Sequence, residues 1–175
     1  GKDITRGLGC GGFPKKGEES ARESMNEIKE SLKDSDMVFV CAGMGGGTGT
    51  GSAPVIAQVA REQGAIVIGT VTMPFKIERV RIDKAEYALQ QLRNACDTVI
   101  VIDNNRLASI AGNLPLKQAF AVANELIATM IKGIVETIAV PSLVNLDFAD
   151  VKAIMTNGEV ASIGVGASDT ADRVK

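Results

Sequence analysis

The nine residues from Gly43 to Gly51, GMGGGTGTG, hold six glycines and two threonines. Glycine loses more backbone freedom on folding than any other residue, so a compact chain concentrates it where bare backbone is needed. The apolar run MVFVCA (37–42) precedes the cluster, and APVIAQVAREQ (53–63), which reads as helix, follows it. The cluster is therefore a strand-to-helix turn. Such a turn, leaving the carboxyl end of a parallel strand, forms the usual ligand crevice of an open α/β sheet. Unpaired N–H groups and the helix dipole favour an anion there. Gly45 to Gly51 lets backbone close on a phosphate, with Thr48 and Thr50 as added hydroxyl donors. No GxxxxGK[ST] occurs, so this is not a P-loop. The bland alternative is a flexible turn.

The flanking pattern supports an α/β fold. GEESARESMNEIKESLKDS (17–35) spaces Ala21, Met25, Ile28 and Leu32 on one helical face. AIVIGTVT (65–72) and DTVIVID (97–103) read as strands, with a helix over 77–95 between them. Strands apolar throughout and separated by helices predict a Rossmann-like parallel sheet with helices on both faces. From Pro115 to Ile138 runs the longest helix, about 36 Å at ~1.5 Å per residue. Its broad apolar face predicts a course through the core.

Composition removes several chemistries. There is no histidine, hence no Ser-His or Cys-His pair and no imidazole ligand. Cys10, Cys41 and Cys96 form no CxxC pair and read as buried reduced thiols rather than metal ligands. A net charge of −2 and 3% aromatics argue against a nucleic-acid surface. No run reaches the ~20 apolar residues of a membrane span, and no signal peptide is evident. A cytoplasmic protein is expected.

A second glycine stretch, GLGCGG (7–12), formally matches GxGxxG, which keeps a Rossmann-type dinucleotide enzyme as one alternative; such an enzyme needs a strand before Gly7. Five motifs taken together point elsewhere. TRGLGCGGFP, GGGTGTG, VTMPFKIERVR, AFAVANELI and NLDFADV, in this order and spacing, resemble the tubulin/FtsZ family of GTPases, on its FtsZ-like rather than eukaryotic tubulin-like side. The resemblance covers essentially all 175 residues.

That resemblance implies GTP/GDP as ligand, with Mg²⁺. It assigns the phosphates to Gly46, Gly47, Thr48 and Gly49, and the terminal phosphate to Cys10, Gly11 and Gly12. Phe13 stands where the family commonly has asparagine. Glu78 and Arg81 match the sugar-contacting pair, with one residue fewer between them. Asn104 and Asn124 would read the base, with Phe120 stacked on it; an asparagine amide can accept from a purine N–H while donating to O6. Phe120 and Asn124 lie four apart on one helix face. On the residues alone, without the resemblance, Phe120 reads as plain core and Asn124 as a satisfied polar group.

Asn145, Asp147 and Asp150 are the candidate catalytic groups, for orienting or polarising a water. They follow the long helix, whose span from Asn124 to Ile138 is already about 21 Å. The acids are then structural, or they serve a neighbour's nucleotide in a head-to-tail stack, the contact that makes filaments. The family uses the second arrangement, with assembly-dependent hydrolysis. The resemblance further implies a homopolymer at a prokaryotic division site, with membrane-tethering and division partners held by regions outside this chain. A non-hydrolysing structural relative and a stand-alone metal hydrolase remain alternatives. The expected organisation is a GTP-binding domain over 1–157, without its first strand and phosphate loop, and the start of a second domain over 158–175. These residues alone are expected to bind GTP poorly.

Overall fold

The computed structural model describes residues 1–111, 116–139 and 148–156. Three strands, β1 (Met37–Gly43), β2 (Ile66–Met73) and β3 (Thr98–Asp103), form a parallel sheet in the order β1-β2-β3. Around them lie α1 (Pro14–Glu23), α2 (Met25–Leu32), α3 (Thr48–Glu62), α4 (Val80–Ala95), α5 (Asn104–Ala111), α6 (Leu116–Ala139) and α7 (Phe148–Thr156).

Strand alternation sorts the sheet's two faces. Val40, Val67 and Val71 pack with Ala53, Ala57 and Ala60 of α3 and with Ala85, Ala88 and Leu92 of α4. Alanines at the contact let both helices sit close to the strands. Gly69 belongs to this face, since a Cβ there would meet Leu92 Cδ2 at 3.0 Å and Cys96 Sγ at 3.1 Å. Ile66, Ile68 and Thr70 alternate with it and are buried on the opposite face. α7 also lies against β2. The expected Rossmann-like arrangement is therefore present.

Several expectations change in detail. The helix read over 17–35 is broken at Ser24 into α1 and α2, and only Ala21 of its four apolar positions is buried. The Glu23 carboxylate accepts the N–H groups of Asp3 (3.0 Å) and Ile4 (3.2 Å), which pins the chain's first turn at the break. Helix α3 starts at Thr48, not at Ala53, so the last four residues of the glycine cluster are already helical. α6 does not run through a core among the described residues; Ala123 and Met130 are buried while Leu126 and Val135 are exposed. Its apolar face is wider than the narrow line these elements cover. Pro115, proposed for its first turn, lies outside the described residues, as do 157–175.

Cys10 and Cys96 are buried as expected, but Cys41 is exposed. Cys41 points away from α3 on an outer strand, where less of the chain covers it. Burial, with the Asp97 charge added, pushes the Cys96 thiol up to about 12, so it is an inert packing group.

Helices α1 and α3 touch backbone to backbone. A Cβ on Gly51 would collide with the Pro14 carbonyl oxygen and stand 2.6 Å from the Glu18 nitrogen, and one on Gly17 would collide with the Gly47 carbonyl oxygen. Gly51→Ala is expected to lower unfolding free energy by about 1–3 kcal/mol through this overpacking. Gly133→Ala, facing open space within α6, should instead raise it by about 0.5–1 kcal/mol. Urea unfolding of the two variants checks the contrast.

Candidate functional site

All three strands end at one crevice. A cavity of about 440 Å³ is lined by Gly43 from the end of β1, Thr72 from β2 and Asn104 directly after β3, together with Gly46, Glu78 and Phe120. A larger hollow, about 770 Å³, lies in the groove among α1, α3 and α4. It is away from the strand ends, so the smaller cavity is the candidate site.

The phosphate side is made of backbone. Gly45 takes φ +96°, open to glycine at little cost, and a Cβ there would stand 2.9 Å from both Cβ and O of Arg81. Gly46 faces open space. Gly47 touches the upstream loop: its Cβ would lie 2.7 Å from Cys10 Cβ and 3.1 Å from Gly12 N. The two glycine stretches, 30 residues apart in the chain, are thus one surface. Gly47 precedes α3 and has no side chain to cap it, which leaves the first-turn N–H groups of Thr48, Gly49 and Thr50 without helical acceptors. Thr48 Oγ1 donates to Cys10 Sγ at 3.4 Å. Thr50 does not join this surface as a donor; it is buried, and its Oγ1 accepts the Gly45 N–H at 2.9 Å. At Gly49 a side chain is excluded by packing, its Cβ position being 2.7 Å from Gly43 O, while its N–H is one of the free groups of the first turn.

On the other wall the Glu78 carboxylate accepts the Phe75 N–H (3.0 Å) and pairs with Arg81 Nη1 (2.7 Å). Both Glu78 and Arg81 line the cavity. Phe75 meets Phe120 with ring centroids 6.1 Å apart and planes at 54°. Phe120 is 39% exposed, so it is not core. Asn104 is only 8% exposed, and its Oδ1 is buried with no hydrogen-bond partner. A buried orphan acceptor on a cavity wall is what a ligand N–H would satisfy. Asn124 is exposed one turn beyond Phe120 and does not line the cavity. Asp150 is exposed in the first turn of α7, also off the cavity, while Asn145 and Asp147 lie outside the described residues.

Three residues not singled out above form or support the wall: Phe75 lines it, and Asp103 and Asn105 stand behind it. Phe75 follows β2 within the Met-Pro-Phe turn, a bulky apolar group at a strand's carboxyl end. Asp103 and Asn105 flank Asn104: Asp103 Oδ1 accepts both the backbone N–H (2.8 Å) and Nδ2 (2.7 Å) of Asn105, whose Oδ1 accepts the Lys76 N–H (3.0 Å). This chain locks the β3–α5 corner that carries Asn104. Those hydrogen bonds hold the Asp103 carboxyl below its ordinary 3.8.

Turns occupy residues 2–7, and no strand precedes Gly7 among the described residues, so GLGCGG lacks the setting of a dinucleotide fingerprint. A parallel sheet with a glycine-walled crevice at its carboxyl ends defines an α/β protein built around a ligand at that edge. The chain belongs to the Tubulin/FtsZ family: residues 1–112 match the model of its GTPase domain. It is 60% identical over 173 residues to the Cell division protein FtsZ 2 of Methanocaldococcus jannaschii, covering 99% of this chain and 46% of that protein. It is 53% identical to the Cell division protein FtsZ 1 of Thermococcus kodakarensis, covering 99% and 47%. An empty FtsZ dimer from M. jannaschii superposes with TM-score 0.84 at 53% identity, over 90% of this chain and 46% of that one. The chain spans a little under half the length of these relatives.

Asp103 yields a pH prediction. Its folded-state value is lowered, so its stabilisation is complete above pH 3.8 and is lost as pH falls through the folded value. Asp103→Ala should cost about 1 kcal/mol or less near neutrality, the pair being largely solvated. The gap to wild type should close below pH 3.8 in urea unfolding curves.

Proposed function

We propose that the protein is a GTP-binding, GTP-hydrolysing cytoskeletal subunit that assembles head to tail into filaments for prokaryotic cell division. The observation that carries the binding reading is the orphan Asn104 Oδ1 on a cavity wall shared with Phe120, opposite bare glycine backbone. Guanine N1–H or N2–H would satisfy that oxygen, the rings of Phe120 and Phe75 would cover the base, and Glu78 with Arg81 would take the sugar and a phosphate oxygen. Gly46, Gly47 and the start of α3 would receive the phosphates, with Cys10, Gly11 and Gly12 closing over the terminal one. Mg²⁺ would neutralise phosphate charge. The cavity's carboxylate, Glu78, is committed to Phe75 and Arg81, so the ion would be held mainly through phosphate oxygens.

Hydrolysis needs a positioned water. α6 carries the chain about 28 Å from Phe120 to Ala139 before the acidic segment begins. Asn145, Asp147 and Asp150 would therefore act on the nucleotide of the next subunit, Asn145 orienting the water and the two aspartates polarising it. That one solved relative is an FtsZ dimer, and that curated relatives are named cell division proteins, supports self-association and the division role. The protein would then work at the division site, in contact with tethering and division partners. No helix among the described residues is long and apolar enough to cross a membrane.

GTP turnover per chain, measured on the full-length gene product, should rise steeply above a threshold protein concentration. Asp150→Ala should abolish that rise while leaving GTP affinity within about twofold. A rate independent of concentration would place the chemistry within one subunit, and unchanged turnover in Asp150→Ala would assign the acidic segment a structural role.

A further inference from the structure

α4 makes a second contact with the site besides Arg81. Lys84, one turn further on and so on the same face, is half-buried, and its Nζ donates to the carbonyl oxygen of Gly12 at 2.8 Å. The two residues are 72 apart in the chain. Among the described residues no carboxylate lies within ion-pairing distance of this ammonium.

The loop it holds combines flexible glycines with one turn bond of its own. Gly11 and Gly12 both run at positive φ, +57° and +77°, where their lack of a side chain leaves neighbouring peptide planes free to turn. Inside the loop, the Phe13 N–H donates to Cys10 O at 3.0 Å. The Gly12 carbonyl is the opposite edge of that same Gly12–Phe13 peptide unit, so the Lys84 bond ties an already oriented turn to α4 and holds the loop in place against the helix. A carbonyl oxygen turned toward an anion repels it, whereas one committed to an ammonium leaves the loop's N–H groups to face the anion. The lysine also places one uncompensated positive charge behind the loop.

We propose that Lys84 is the positioning residue of this loop and sets the preference of the site for a nucleoside triphosphate over the diphosphate. The proposal rests on the reading that Cys10, Gly11 and Gly12 cover the terminal phosphate. A group acting through that loop strengthens binding of the ligand that has the terminal phosphate and leaves the shorter ligand unaffected.

The test uses the full-length protein, at concentrations too low for assembly, with fluorescent GTP and GDP analogues. Lys84→Met should weaken GTP binding about tenfold, the usual effect of losing a charged hydrogen bond, and change GDP binding less than about twofold. Lys84→Arg, which keeps a cationic donor, should restore most of the GTP affinity. If the methionine variant does not fold, Lys84→Gln, which keeps a neutral donor to the Gly12 carbonyl but removes the charge, should weaken GTP binding by a smaller factor, about threefold, again with GDP binding changed less than about twofold. Equal weakening of both nucleotides, or no change in either, overturns the proposal while leaving the nucleotide site intact. Wild-type protein that binds neither analogue overturns the nucleotide reading itself, and this proposal with it.

Discussion

The site depends on a backbone-to-backbone contact. α1 rides directly on the start of α3 because Gly17 and Gly51 present no side chain to each other's helices. That contact carries the residues before Pro14 alongside Gly47, which turns two separate glycine stretches into one surface. Alanines on the inner faces of α3 and α4 then set the layer close to the sheet, and the carboxyl ends of three strands open beneath it. Bare backbone is thus spent on two tasks within one motif. Gly46 is presented to the cavity, while at Gly49 and Gly51 packing excludes a side chain.

The opposite wall is rigid for a different reason. Its polar side chains are held in fixed directions by backbone N–H groups and by one another: Glu78 by the Phe75 N–H and by Arg81, Asn105 by the Lys76 N–H and by Asp103. Preorganisation of this kind lets an orphan such as Asn104 Oδ1 persist, because its surroundings do not relax to satisfy it. The unsatisfied acceptor is a local cost that a matching ligand N–H would recover.

Much of this was legible in the sequence. The parallel sheet followed from apolar runs separated by helices, and the crevice from glycines between a strand and a helix. The break at Ser24 was not legible, because it comes from Glu23 binding N–H groups twenty residues upstream rather than from helical periodicity. The early start of α3 was hidden by the same glycines that marked the turn, since glycine is a poor helix former whose conformation is set here by tertiary contact. Thr50 read as a donor to ligand because its hydroxyl's partner, the Gly45 N–H, depends on the three-dimensional turn. Phe120 and Asn104 line the cavity, while Asn124 and Asp150 do not, a distinction that spacing along a helix cannot make. Asp103, Asn105 and Lys84 went unremarked because charged and amide residues beside a motif ordinarily read as solvated surface.

The central claim is that this crevice takes a guanine nucleotide through Asn104. Competition of GTP, ATP and NAD for the full-length protein, repeated with Asn104→Ala, tests it most directly. The account predicts that GTP displaces a guanine probe at least tenfold better than ATP, that NAD does not compete, and that Asn104→Ala erases the preference. Equal binding of ATP, or a GTP preference that survives in Asn104→Ala, would contradict it.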